Sequence, residues 1–245
     1  INKCERYDED IIQQMLVDER ISVSDRKRLS DYYRHARDSP SKASIAYERA
    51  DNCKDAQLGR YYPVGGKGLQ SFRWDIRGPL TAKYYWDIDL ENAHYNIALK
   101  YARDYGIQHT NIEKYCKNRE ECLKLFSDKR DEAKTAYLKL LYNGDLALYR
   151  EGAEDISGQC KQEGLAFYRG LKAEVDTLME MVWSRHSQFH KLKCGKEKKA
   201  IEKRANRQAV LMSLIFQTEE AKCMWVLDKA LEKRGRTAGI LIHDG

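Results

Sequence analysis

The sequence predicts a mostly helical α+β protein with a small sheet, and three observations point there. Only three prolines interrupt the 245 residues, which leaves room for long helices. Apolar residues recur at helical spacing through long stretches, notably 161–192 and 203–234. Two short apolar runs, Tyr84–Leu90 and Ala238–Gly245, have the length and period of strands and deliver carboxylates: Asp87 and Asp89 in the first, Asp244 in the second.

In chain order, residues 1–58 read as polar helices. Ile11, Ile12, Met15 and Leu16 form a partial apolar stripe; Ser24 or Asp25 is the expected cap of the next helix and Ser41 of the one after. Residues 59–80 gather Gly59, Gly65, Gly66, Gly68, Gly78, Pro63 and Pro79, so turns and short strands are expected. Cations and rings interleave there, as Arg60, Tyr61, Tyr62, Lys67, Phe72, Arg73, Trp74 and Arg77. The pattern suits a nucleic-acid surface, with cations for phosphates and rings for bases; a glycine-rich connector with its rings in the core fits it equally. Gly65-Gly66-Lys67-Gly68 lacks the spacing of a phosphate-binding Walker loop. In the strand 84–90, Asp87 and Asp89 share one face, opposite Trp86, Ile88 and Leu90. Helices are expected over 91–105, over 111–150 with an end near Asn143-Gly144, over 161–192 and over 203–234. A basic segment rich in lysine, from Lys191 to Arg207, precedes the last of them.

The net charge of +6 is too small an excess to establish a nucleic-acid partner. No run of eighteen apolar residues exists, which excludes a hydrophobic membrane-spanning helix. The seven cysteines are scattered without a C-x-x-C pair; a disulfide framework is not expected, and a reducing, intracellular compartment fits. The chain begins at Ile1 with no start Met or signal-like segment, which suggests a fragment.

Three constellations could carry chemistry. Aspartates delivered by buried strands need a compensating charge, and a metal supplies it when several converge; taken singly, each fits a solvated strand edge. Arg130, Lys134 and Tyr142 recur at steps of four and eight, so a helix would offer two cations and a phenol to a triphosphate and a base. A solvated face with Tyr142 half-buried fits the same spacing. His186, His190 and Cys194 have zinc-ligand spacing on a helix but lack a fourth ligand. No G-x-S-x-G elbow supports a serine hydrolase.

The order of these motifs resembles the palm and fingers of family A polymerases, the bacterial DNA polymerase I group and the single-subunit phage-type RNA polymerases. Gly59-Arg60, Leu69-Gln70 and Ile76-Arg77 resemble the lead into motif A, where Asp89 matches the metal-binding aspartate. Arg130, Lys134, Thr135 and Tyr142 match motif B. Gln217 resembles a glutamine before motif C, and His243-Asp244 matches the H-D of motif C. The resemblance runs from about Gly59 to the end of the chain. Two positions depart from it. His94 stands where the DNA polymerases carry a glutamate that excludes the ribose 2′-hydroxyl, and Gly245 replaces a glutamate. The D-x-D-x-x-N-x-H and H-D-G forms are most similar to the transposon–virus polymerase branch. That branch is often joined to a superfamily 3 helicase on the same polypeptide, and a primase role has been inferred for it.

The resemblance implies a small antiparallel palm sheet carrying the catalytic aspartates and a helical fingers subdomain. The implied domains are an N-terminal helical subdomain over 1–58, palm over 59–94, fingers over 95–205 with motif B at 130–144, and palm again over 206–245, without the second strand of the motif C hairpin. It implies a template-directed nucleotidyltransferase, a primase or polymerase of viral or mobile-element replication, working in cytoplasm, nucleus or viral factory. Two Mg²⁺ ions, or Mn²⁺ in their place, would be held by Asp89, Asp244 and the Ile88 carbonyl. Asp87 is either an auxiliary carboxylate or an ion-pair partner. Lys134 and Arg130 would take the triphosphate, Tyr142 would stack near the nascent pair, and His94 or Asn92 would meet the sugar. Arg60, Gln70, Arg73, Arg77, Gln217 and His243 would face a DNA or RNA template and primer. The choice of sugar stays open. The competing expectations are a non-catalytic nucleic-acid-binding module and a metal-dependent phosphohydrolase.

Overall fold

In the computed structural model, residues 1–35, 37–39, 41–50, 53–143, 162–194 and 199–241 are described. The chain is mostly helical with a small antiparallel sheet, an α+β protein. It divides into two units, Ile1–Leu90 with Ala221–Gly245, and Glu91–Glu220.

The first unit is built on β3 (Lys42–Arg49), which pairs antiparallel with β1 (Asn2–Arg6), β2 (Arg37–Ser39) and β4 (Tyr61–Pro63). Along β3, Ala43, Ile45 and Tyr47 are buried and alternate with exposed Lys42, Ser44 and Ala46, the period-two pattern of a strand with one face inward. Helices α1 (Glu9–Val17), α2 (Val23–His35) and α3 (Trp74–Thr81) complete the unit. Ile12 of α1, Leu29 and Tyr32 of α2, and Ile76 and Leu80 of α3 join Ala43, Ile45 and Tyr47 in one core, with Leu241 from the far end of the chain. The expectation of an all-helical N-terminal segment is therefore corrected. Residues 1–58 hold two helices and the central strands of the sheet, because β3 carries an alternation that the scarcity of large apolar residues concealed.

Two expected caps also move. Ser22, not Ser24 or Asp25, caps α2: its Oγ accepts from Asp25 N at 3.1 Å and donates to the Asp25 carboxylate at 2.8 Å. Ser41 begins no helix; it takes φ 62 in the turn into β3.

The second unit is a helical cluster of α4 (Ala93–Asp104), α5 (Thr110–Lys117), α6 (Arg119–Phe126), α7 (Arg130–Leu141) and α8 (Gln162–Arg185). A two-residue hairpin of β5 (Lys193–Cys194) and β6 (Lys199–Ala200) follows. Helix α9 (Arg207–Glu232) begins here and ends in the first unit. An aromatic core of Tyr95, Tyr115, Phe126, Tyr137, Phe167 and Tyr168 joins α4 to α8. Two of their hydroxyls find carbonyls: Tyr95 donates to Tyr137 O at 2.7 Å and Tyr137 to Cys122 O at 3.1 Å. Helix α5 has no side-chain cap of its own at His109. Glu174 of α8 supplies one, accepting from the Asn111 and Ile112 amides at 2.9 Å each.

Candidate functional site

In the first unit, the glycine-rich stretch folds over β1 and β3 around a buried acid. Glu5 is fully buried and accepts from Tyr47 Oη at 2.6 Å, Tyr32 Oη at 3.1 Å and Leu69 N at 2.9 Å. Burial raises its pKa above the usual carboxylate value, against the pull of these three donors. Gly68 is required beside it, since a Cβ there would stand 2.7 Å from Pro63 Cβ and 3.0 Å from Glu5 Oε1. The loop so fixed presents Gln70, whose amide donates to Tyr61 O at 3.1 Å and to Leu241 O. Gln70 thus ties this loop to the segment that runs on to His243 and Asp244.

The cations expected to grip nucleic acid are placed unequally. Arg60 is buried, at 8% exposure. Arg77 gives Nη1 to Phe72 O at 3.0 Å, while its buried Nε has no partner. Arg73 is exposed and pairs with Asp75.

The first aspartate segment is corrected. Residues 85–90 form no β-ladder among the described residues, and neither does 237–241. The two segments meet side chain to backbone instead: a Cβ on Gly239 would collide with Tyr85 Oη, so the Tyr85 ring lies against the Gly239 backbone. Tyr85 Oη accepts from Arg6 N at 2.7 Å. Asp87, Ile88 and Asp89 are exposed. His243 and Asp244 lie outside the described residues. A hard divalent cation suits an exposed carboxylate and a backbone carbonyl, so Asp89 and Ile88 fit as two of the three expected donors. Among the described residues no group of three His, Cys, Asp or Glu side chains comes together for a metal.

In the second unit, α7 ends at Leu141, and Tyr142 is its C-cap at φ −113, ψ 23. Asn143 follows in the left-handed region at φ 47, which terminates the helix. From this end Tyr142 turns to His94 on the first turn of α4. Its Oη lies 2.6 Å from His94 Nδ1, with the rings edge-to-face at 5.7 Å. Phe216 of α9 packs on both rings, at 6.3 and 6.5 Å. Glu220, 4% exposed, faces His94 Nε2 at 3.6 Å. Glu220 is the residue that sequence reasoning missed. Its signal is a carboxylate four residues after Phe216 and eight after Met212, on the buried stripe of α9.

Asn92 takes φ 52 before α4, and its buried Nδ2 has no partner. Lys134 is exposed on α7. Arg130 is exposed and engaged by Glu120 through two bonds of 2.7 and 3.0 Å. Gln217 donates to Ser213 Oγ at 3.1 Å.

The zinc-like spacing does not assemble. Helix α8 stops at Arg185, so the three residues leave helical phase. His186 Nε2 meets Tyr105 Oη at 3.1 Å, His190 stacks on Trp183 at 3.5 Å, and Cys194 is buried in β5. The described cysteines, Cys4, Cys53, Cys116, Cys122, Cys194 and Cys223, form no disulfide with one another.

The chain is similar to a virophage protein, the "Putative helicase V13" of Sputnik virophage. The two are 24% identical over 248 residues, covering 96% of this chain and 30% of the relative. The chain thus spans about a third of that relative's length. No family model matches, and no solved structure matches. No helix among the described residues is long and apolar enough to cross a membrane.

Proposed function

We propose that the chain is the nucleotidyltransferase part of a viral or mobile-element replication protein, a primase or polymerase that joins nucleotides on a template strand. The observation that carries the proposal is the Tyr142–His94 contact at 2.6 Å. The two residues come from motifs separated in sequence, and the motif resemblance assigns both to one nucleotide. Asp89, Asp244 and the Ile88 carbonyl are the groups that would hold Mg²⁺ or Mn²⁺. Such ions supply charge neutralisation and a more acidic attacking hydroxyl when bound. Lys134, exposed and mobile in its long side chain, neutralises the triphosphate, with Arg130 joining when it exchanges Glu120 for phosphate. The His94–Tyr142 pair, backed by Glu220, meets the sugar. Palm and fingers are then the names for the first and second units. The similarity to a helicase-named virophage protein over 30% of its length is what a replication protein with a separate helicase part would give.

Labelled-nucleotide incorporation on a primed single-stranded template tests the proposal. Divalent-metal-dependent incorporation that Lys134→Ala lowers by about a hundredfold is the expected result. Binding of template without incorporation under any metal would instead favour a non-catalytic nucleic-acid-binding module, a reading that the exposed Trp74 and Trp86 of the first unit support.

A further inference from the structure

The first unit carries a groove of about 630 Å³ in which the rings of Trp74, Tyr84 and Trp86 and the guanidinium groups of Arg77 and Arg236 stand beside an aliphatic wall that includes Leu227 and Leu231. Arg77, Asp87 and Ile88 of its lining belong to the expected template and metal residues, whereas none of the motifs gives Trp86 or Arg236 a role. Trp86 is 83% exposed and Trp74 65%, a costly display of indole unless something stacks on it.

Two glycines make room for rings of the lining. Gly78 lies inside α3, where glycine costs helix stability. A Cβ at Gly78 would stand 3.2 to 3.3 Å from three atoms of the Trp74 indole, so glycine lets the ring lie against the helix backbone and leaves its other side outward. Gly239 does the same for Tyr85, against whose hydroxyl a Cβ would clash. Cations sit over the remaining rings: Arg236 lies 5.5 Å from the Trp86 centroid and Arg6 4.2 Å from that of Tyr84. Asp87 is the acidic side chain in the lining, set against Arg77 and Arg236. Pinned rings with guanidinium groups beside them are the elements of a stacking platform for single strands, where bases lie on rings and phosphates meet cations.

We propose that this groove binds single-stranded nucleic acid, with Trp86 and Trp74 as stacking platforms and Arg236 and Arg77 as phosphate contacts. A volume of about 630 Å³ suits a short stretch of one strand. The site does not depend on catalysis, and a catalytically inert chain would keep it.

The test is fluorescence titration of the full chain with oligodeoxythymidylate, oligouridylate and a blunt duplex, beside sedimentation to read self-association. Trp86→Ala is expected to weaken single-strand binding about tenfold. Arg236→Ala is expected to lower the slope of log affinity against log salt by about 0.7. Trp225→Ala removes an exposed indole outside the groove and is expected to change neither. Single-strand binding unaltered in both Trp86→Ala and Arg236→Ala overturns the proposal. So does self-association that Trp86→Ala dissolves while oligonucleotide affinity stays put, which would make the occupant a second copy of the chain. Because incorporation is not the readout, failure of the nucleotidyltransferase proposal and failure of this one are separable.

Discussion

Tyr142 and His94 show what a single hydrogen bond carries in this protein. Tyr142 leaves its helix at the C-cap and spends its hydroxyl on His94, with Glu220 behind the imidazole. Replacing Tyr142 by Phe keeps the ring packing on Phe216 and removes the bond. Stability should fall by about 1 kcal/mol in urea denaturation, and any ratio of ribonucleotide to deoxyribonucleotide use should change. An unchanged ratio in an active variant would place the sugar elsewhere. Both residues were visible in the sequence through their motif positions. Glu220 was not, because a glutamate in an apolar helical stripe looks like an interruption until its partner is known. Gln70 reads differently once folded. Its amide is engaged by the Tyr61 and Leu241 carbonyls, a positioning task invisible without tertiary structure.

At the scale of elements, helices were legible and strands only in part: the short strands expected over 59–80 appear as β4 (Tyr61–Pro63), while β1 and β3 were missed. The predicted helix over 91–105 appears as Ala93–Asp104, and the helix expected over 203–234 as Arg207–Glu232. Both carry sustained apolar spacing. Strand β3 alternates buried Ala43, Ile45 and Tyr47 with exposed Lys42, Ser44 and Ala46, and an alanine on each face is enough to blur the period. Strand β1 is harder still, since its inward position is held by Glu5, whose burial depends on Tyr32, Tyr47 and Leu69 from three other places. The segment 84–90 has a strand's sequence but no ladder, because a strand is defined by its neighbour and Tyr85 turns to Gly239 instead. Caps make the element-scale test. Ser22→Ala should destabilise by about 1 kcal/mol by exposing the α2 amides, whereas Ser24→Ala should leave stability nearly unchanged. Equal effects of the two would contradict the assigned cap.

At the scale of the whole molecule, the first unit joins the two ends of the chain. Leu241 lies in the same core as Tyr7 and Ile45, and Lys3 pairs with Asp228, which is 2% exposed. The buried Glu5 makes this unit's stability depend on pH. Its folded pKa is raised above 4.5, so the folded state holds the proton longer than the unfolded chain does. The contribution is fully present below that ordinary value and is lost as pH rises through the folded one. The stability difference between the native chain and Glu5→Gln should therefore shift against the native chain as pH increases from about 4.5. A difference flat with pH would show that Glu5 does not titrate in that window.

The central claim is that the exposed aspartate after Ile88 belongs to a nucleotidyltransferase. Its most direct measurement is incorporation of labelled nucleotide on a primed single-stranded template with Mg²⁺ or Mn²⁺, comparing the native chain with Asp89→Asn at matched template affinity and matched stability. Incorporation by the native chain and its loss in Asp89→Asn is the predicted result; equal incorporation by the two chains would contradict the account.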